Sequence, residues 1–576
     1  MKNVFDTLRH IFATVNVTHI VWCAAVLLTM LILAVLHHIW KDDLKKLQLW
    51  RLFCLVPLVI CGVHAFIYVV GAPIIFLGGF FVMYIIAVLA LIPMLFAKRK
   101  TGYRITAVLT GILSCLCGFY FSAISPNIFN HTRESYTGSF HSLVKDMDEH
   151  YVLKEWKEVD FSALEEKYMP MVEQAEKEKS PGKFADAVMM FCSEMHDGHI
   201  GVEADFDDED YKSVIAPHDY GFATVKLDSG EVIAVCADET ANALGIEDGT
   251  VITKWNGKPV LQAAEEDVPD LGTPVKTNEE MINVMNLDLA GGDTLEVSFI
   301  DKNGSEHTVT VSDKGGVKTK MEAMAAFKGL ELPIDYDKLL EENFSTKMLD
   351  DKCGYLKVTA ETMGSSFFQD YVGYLTGDQK YARDMFREKL NDLRTQGMEY
   401  LVIDLRNNEG GFDEIAIALC NLLTDKDWYG QGLGIRKDGK YICVSDHKIH
   451  GTGEFTKLKV VALTNYECCS AGDGLSLYLS KLPNVTVAGI TDPCGCNQET
   501  GGISTLSGGI VTVYYPTGLV LNENGEPNID TGSDRESRNP VEVHIPFDHD
   551  AAMKIFHDNQ DYELDWAVKY IEDNAE

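Results

Sequence analysis

Positive charge is scarce over most of this 576-residue chain: residues 131–576 carry 40 Lys and Arg against 83 Asp and Glu. A nucleic-acid face needs Lys and Arg clustered along the phosphate track, so that class of partner is argued against. The acidity reads instead as a well-solvated surface. Lysine is also missing from one particular stretch, AGITDPCGCNQETGG (488–502). Charge of either sign is absent from the interiors of four apolar runs, at about 18–39, 52–71, 73–97 and 104–124. Ionisable groups inside the bilayer are what transport pathways use, so a channel or transporter is argued against. Anchoring is the plainer role.

Each run is long enough for the ~20 residues a spanning helix needs, and a signal peptide would supply one shorter run rather than four. The basic loops KDDLKKLQLWR (41–51) and AKRKTGYR (97–104) read as cytoplasmic by the positive-inside bias. The expectation is therefore a multi-pass protein of the cell membrane. Everything after about residue 125 then lies outside, in an extracellular or periplasmic space.

Fourteen cysteines divide into five in the apolar region (Cys23, Cys54, Cys61, Cys115, Cys117) and nine beyond it. Nine is odd, so at least one thiol is free or pairs with another chain. Cys192 and Cys420 sit in apolar helical surroundings and read as core residues. Cys468, Cys469, Cys494 and Cys496 form the pairs CC and CGC, in loops rather than helices.

A chain of this length is multidomain. Region 1–130 is the membrane part with four helices. Region 131–210 has apolar residues at three- and four-residue spacing in SFHSLVKDMDEHYV, FSALEEKYMPMVEQAEKE and KFADAVMMFCSEM, a helical lead-in. Region 215–315 turns to short β-branched runs separated by DSG, NGK and KNG, with a helix expected over 277–288. Its stretch ETANALGIEDGTVITKWNGKPV resembles part of a PDZ domain, a module that adds an extended peptide to a sheet edge. In region 316–576, GYLKVT, EYLVIDLR, KVVALTN and NVTVAGI alternate with helical stretches (367–398 the longest). That pattern argues an α/β layer with parallel strands. The whole is an α+β multidomain chain.

Sites in such sheets lie beyond the carboxyl ends of the strands. Two loops leave strands there: RNNEGG (406–411) and YECCSAGDG (466–474). Ser470 in the second has two readings, an N-cap with Asp473 closing a capping box, or a nucleophile at a helix N-terminus where free amides can hold an oxyanion. A serine needs a base. His199, in MHDGHIGV (195–202), is one of 17 histidines available. The pair Gly410–Gly411 offers further backbone amides.

Taken in order, MHDGHIGV (195–202), GYLKV (354–358), LVIDLRNNEGG (401–411) and ALTNYECCSAGD (462–473) resemble the blocks of the tail-specific, or carboxyl-terminal-processing, serine peptidases. That resemblance implies a ClpP/crotonase-like core, an embedded PDZ domain, a polypeptide substrate and no cofactor or metal. It places Ser470 on the nucleophile, Ala471 and either Gly410 or Gly411 on the oxyanion hole, and His199 on the base of the tricorn-like branch. The other branch pairs serine with a lysine about 25 residues later, where this chain has none. DRESRNPVEV (534–543) corresponds loosely to the family's closing block, making Asp534 or Glu536 candidates for a third acid. Outside the cell a disulfide between the two pairs, Cys468/Cys469 with Cys494/Cys496, is expected, with its connectivity open. A zinc site is disfavoured because C-x₂₋₄-C spacing is missing. The alternative function is a catalytically inactive peptide-binding sensor or scaffold on the same fold.

Overall fold

Changes of hydrophobic period along the chain become changes of element in the structure. This computed structural model describes residues 17–71, 87–95, single positions between 101 and 112, and 127–574 apart from stretches within 207–214, 336–340 and 364–379 and at 438. It divides into two units.

The first unit comprises residues 1–151, 202–206 and 500–517. Its N-terminal part holds helices Val17–Trp40, Leu44–Phe53 and Val56–Gly71. The expected basic loop at 41–51 is mostly helix instead. The carboxylate of Asp43 accepts from the amides of Lys45 (3.0 Å) and Lys46 (3.2 Å), so it starts a turn that the sequence pattern alone had left open. Among the described residues, one helical stretch, Leu44–Val63, is long and apolar enough to cross a membrane, and Ala25–Trp40 is a shorter apolar helix. Four spanning helices are therefore not what the described residues show. The expected runs 73–97 and 104–124 lie largely outside them. Further on, strand Asn127–Asn130 pairs in parallel with residues 502–505, and Ser135 caps helix Tyr136–His150.

The second unit comprises 152–201, 207–499 and 518–576. Its helical lead-in is α1 (Phe161–Glu178) and α2 (Pro181–Ser193), capped by the side chains of Asp160 and Ser180. Cys192 is buried on α2, as expected of a core residue. There follows a six-stranded antiparallel sheet, a meander of β1 (Ala223–Lys226), β2 (Val232–Val235), β3 (Val251–Trp255), β4 (Thr294–Ile300) and β5 (Glu306–Ser312) with the short strand Lys258–Pro259 paired on β3. The helix expected at 277–288 is α3 (Lys276–Met285), ending in a 3₁₀ turn at Leu287–Ala290. α3 lies along edge strand β1, where Thr224 Oγ1 donates to the Val284 carbonyl at 2.6 Å.

The third sheet is the expected parallel layer. Its order is β11 (Val543–His544), β10 (Val485–Gly489), β9 (Lys459–Leu463), β8 (Tyr400–Asp404), β7 (Cys353–Lys357) and β6 (Thr346–Met348). All neighbours run parallel except the β6–β7 pair at one edge. Its strands are buried apolar runs, and helices α4 (Asp413–Leu423), α5 (Ala471–Ser480) and α6 (Tyr562–Asp573) cover it. The register aligns Lys357 with Asp404 and Asp404 with Leu463, so the loops leaving β8 and β9 start side by side. A long hairpin, Trp428–Lys437 with Lys440–Ile449, was not foreseen. Its glycines at 430, 432 and 434 hide the apolar alternation that would mark a strand.

Candidate active site

Polar side chains lock the two strand-end loops into one piece. Asn465 Oδ1 accepts the Asn407 amide at 3.0 Å, and the Cys469 amide donates to the Asn408 carbonyl at 2.9 Å. Asn408, fully buried, turns its own loop: Oδ1 accepts the Gly410 amide at 2.8 Å, and Nδ2 donates to Val358 O and to Glu361 Oε1. Below them Arg406 is clamped by Asp404 (2.7 Å), Asp561 (2.7 Å) and Glu563 (3.3 Å), tying the end of β8 to the start of α6. These asparagines and the acid clamp were missed from sequence. Their signal was only that Asn and Asp favour turns.

Ser470 stands at the N-terminal end of α5 with φ +57° and ψ −129°, a conformation that side chains other than glycine rarely adopt. Its hydroxyl makes no capping hydrogen bond, which corrects the simple N-cap reading. The capping box is corrected too. Instead of reaching back to residue 470, the Asp473 carboxylate turns away to accept from the amides of Gly495 (2.6 Å) and Cys496 (3.2 Å) and from Asn539 Nδ2 (2.7 Å). The hydroxyl of Ser470 is thereby left free at a half-buried, strained turn between strand and helix, the geometry that holds a nucleophile exposed.

Gly410 packs directly on this serine. A Cβ there would lie 2.4 Å from Ser470 Cβ, 2.9 Å from Cys469 O and 3.0 Å from Ala471 N, and its φ is +86°. The amides differ in availability. That of Gly410 is engaged by Asn408, whereas those of Ala471 and Gly411 carry no hydrogen bond among the described residues.

His199 follows the tight turn after α2, its amide held by Asp197 Oδ1 at 2.9 Å. The ring does not meet Ser470 in any hydrogen bond among the described residues. Its partner is the thiol of Cys496, and Nδ1 is buried without one. Burial pulls the His199 pKa down, but Cys496 outweighs it and the net direction is upward. Behind the ring lies a buried polar cluster. Gln498 Nε2 bridges Asp197 and Asp530, and Lys157 Nζ donates to His196 O (3.0 Å) and Thr531 Oγ1 (2.9 Å). Burial holds the Lys157 ammonium below the usual lysine range, opposed by Asp197, Asp530 and Cys496. Asp530 Oδ2 has no partner and burial drives its carboxyl upward. Asp534 and Glu536, by contrast, are exposed, with Asp534 paired to Arg538 at 2.7 Å. The structure brings neither to His199; the closing loop folds Asp530 inward and leaves those two in water.

The four cysteines are free thiols. Cys468 is fully buried, and its carbonyl accepts the Cys494 amide at 2.9 Å. The Cys496 and Cys494 sulfurs are 3.2 Å apart, a contact rather than a bond. A cleft of about 420 Å³ opens beside them, lined by Cys469, Cys494, Gly198, Ile282, Met285 and Tyr466. Two neighbouring acids are kept proton-rich. Burial pushes Glu361 up to about 8, against its bond from Asn408, and Asp473 up to about 7, against its Asn539 and amide bonds.

Residues 352–533, which contain both loops, match the model of Peptidase family S41. Over 263 residues the chain is 24% identical to "Carboxy-terminal processing protease CtpA" of Bacillus subtilis (strain 168), covering 44% of this chain and 48% of that protein. The chain thus spans about half the length of the curated relative it matches. Among solved structures, a mutant of CPAF superposes with a TM-score of 0.51 at 13% identity, covering 76% of this chain and 98% of that one. Mature CPAF complexed with lactacystin gives 0.49 at 14%, covering 77% and 99%. At 13% identity the 0.51 superposition speaks for the fold alone, and the family model for the loops. This chain thus carries a Peptidase family S41 domain at residues 352–533 and is similar over part of its length to a carboxy-terminal processing protease.

Proposed function

We propose that this chain is a membrane-anchored serine endopeptidase that cleaves polypeptides outside the cytoplasm. Ser470 attacks the scissile carbonyl while His199 accepts its proton. The amides of Ala471 and Gly411 hold the oxyanion, and water then releases the acyl-enzyme. The single observation that carries the reading is the Ser470 turn. A strained, uncapped serine beside the uncommitted amide of Ala471 has no structural use that a threonine or aspartate cap would not serve better.

The meander at 223–312, with α3 along its edge strand, supplies what a PDZ-like module needs to capture an extended segment. The cleft runs from Ile282 and Met285 on α3 to Cys469. A polypeptide end held at α3 would lead to Ser470, in keeping with the carboxy-terminal processing named for the Bacillus relative. The apolar helices before residue 95 serve as the anchor. Asp530 is better placed than Asp534 or Glu536 to complete the site, through Gln498 and Asp197.

A second reading, a peptide-binding relative without turnover, draws on the engagement of His199 by Cys496. A serine-reactive fluorophosphonate separates the two on the full-length protein. Labelling of wild type that vanishes in Ser470→Ala and collapses in His199→Ala is the expected result. Labelling that survives Ser470→Ala would sink the nucleophile assignment, and no labelling of a folded wild type in either redox state would favour the binding module.

A further inference from the structure

We infer that Cys494 and Cys496 form a redox-active dithiol, and that its oxidation by a low-molecular-weight disulfide releases His199 to act on Ser470. The consequence for activity rests on the peptidase reading above; the dithiol itself does not.

Several independent contacts converge on this pair. The two sulfurs touch at 3.2 Å, within a side-chain adjustment of the ~2.05 Å bond. Gly495 between them has φ +81°, which lets the chain double back. Both sulfurs press on the turn that carries His199: a Cβ at Gly198 would lie 2.7 Å from Cys496 Sγ and 3.0 Å from Cys494 Sγ. The CGC turn is also pinned to the nucleophile turn, since Cys496 O accepts the Ser470 amide at 2.9 Å and Asp473 holds the Gly495 and Cys496 amides. A change in the sulfurs is therefore felt at Ser470 and His199 together.

Access and proton traffic fit the chemistry. Cys494 lines the cleft, while Cys496 is buried behind it with the His199 ring as its partner. Cys494 gives its proton to solvent, and its thiolate attacks a sulfur of the incoming disulfide and expels one small thiolate, which takes a proton back from solvent. His199 then takes the Cys496 proton, the Cys496 sulfur attacks Cys494, and the second small thiol leaves with that proton. Two protein thiols and one small disulfide become one protein disulfide and two small thiols. The oxidised Cys496 has neither a thiol proton nor a thiolate to pair with the ring, and His199 loses the contact that occupies it.

The test uses the full chain, equilibrated with reduced or oxidised glutathione, then labelled with a fluorophosphonate and mapped for disulfides by mass spectrometry. Oxidised wild type is expected to carry a Cys494–Cys496 bond and to label about 10²-fold faster, the scale of a recovered general base. Cys496→Ala should label at the fast rate in both buffers, and Cys494→Ser at the slow rate in both. Absence of the mapped disulfide, or labelling of wild type at one rate in both buffers, would overturn the inference and leave the peptidase reading standing. A mapped disulfide with no labelling of any form, Cys496→Ala included, overturns the peptidase reading instead and leaves the dithiol.

Discussion

Ser470 holds a backbone conformation that costs about 1–3 kcal/mol in a residue with a side chain. It is sustained because Gly410 leaves no room to relax and α5 begins at once behind it. Gly410→Ala should therefore displace the serine while leaving its hydroxyl intact. A shift of that kind is expected to cut fluorophosphonate labelling about 10²-fold, and labelling at the wild-type rate would show that the packing at 410 does not position the nucleophile. His199 gives a pH prediction with a definite sign. The base must be neutral, and Cys496 raises its pKa against burial, so protonation persists above the ordinary ~6.5 of histidine. In the reduced protein the acid limb of kcat/KM should lie at higher pH than in Cys496→Ala. The order of the two limbs checks it.

At the scale of elements, the DLR run that marks the family block is a clamp rather than part of the chemistry. Arg406 is 7% exposed on its side chain and reaches Asp404 on β8 and Asp561 and Glu563 at the start of α6. Removing it strands three carboxylates, two of them buried. Arg406→Ala should cost about 3–5 kcal/mol in unfolding free energy, measured by denaturant titration, with a loss below about 1 kcal/mol contradicting the clamp. Asp473 plays the same part between α5 and the CGC turn, and this explains why an acid three residues after the serine need not be a cap.

At the scale of the molecule, the proposed capture at α3 and the proposed chemistry at Ser470 are separable, because the cleft beside Cys469 is lined on another side by Ile282 and Met285. Ile282→Glu on α3 should raise KM for polypeptides several-fold with kcat little changed, and leave fluorophosphonate labelling untouched because the probe has no chain to capture. A parallel loss of labelling would mean that the module and the site are not separable. Global stability carries a signature of Glu361, whose carboxyl is raised from 4.5 to about 8 by burial. The folded state binds that proton more tightly, so its contribution is complete below about 4.5 and is lost as pH climbs through about 8. Glu361→Gln removes this loss, and its melting temperature relative to wild type should rise from pH 6 to pH 9. A difference independent of pH would refute the assignment.

Periodicity by itself determined the helical lead-in, the helix at 276–285 and the parallel strands, because those patterns are set by side chains within a few residues of one another. Blocks of turn residues after two strands drew attention to Ser470 and Gly410–Gly411, but only the family resemblance favoured catalytic roles for them. Only the tertiary structure decided that Ser470 is not a cap, that Gly410 spends its amide on Asn408, and that Asp530 rather than Asp534 or Glu536 turns inward. The reason is range. Gln498 meets Asp197 across 301 positions, and the contact of Cys496 with His199 spans a comparable distance. Long contacts of that kind follow from the packing of the finished fold, and no local pattern in CGC or MHDGH encodes them.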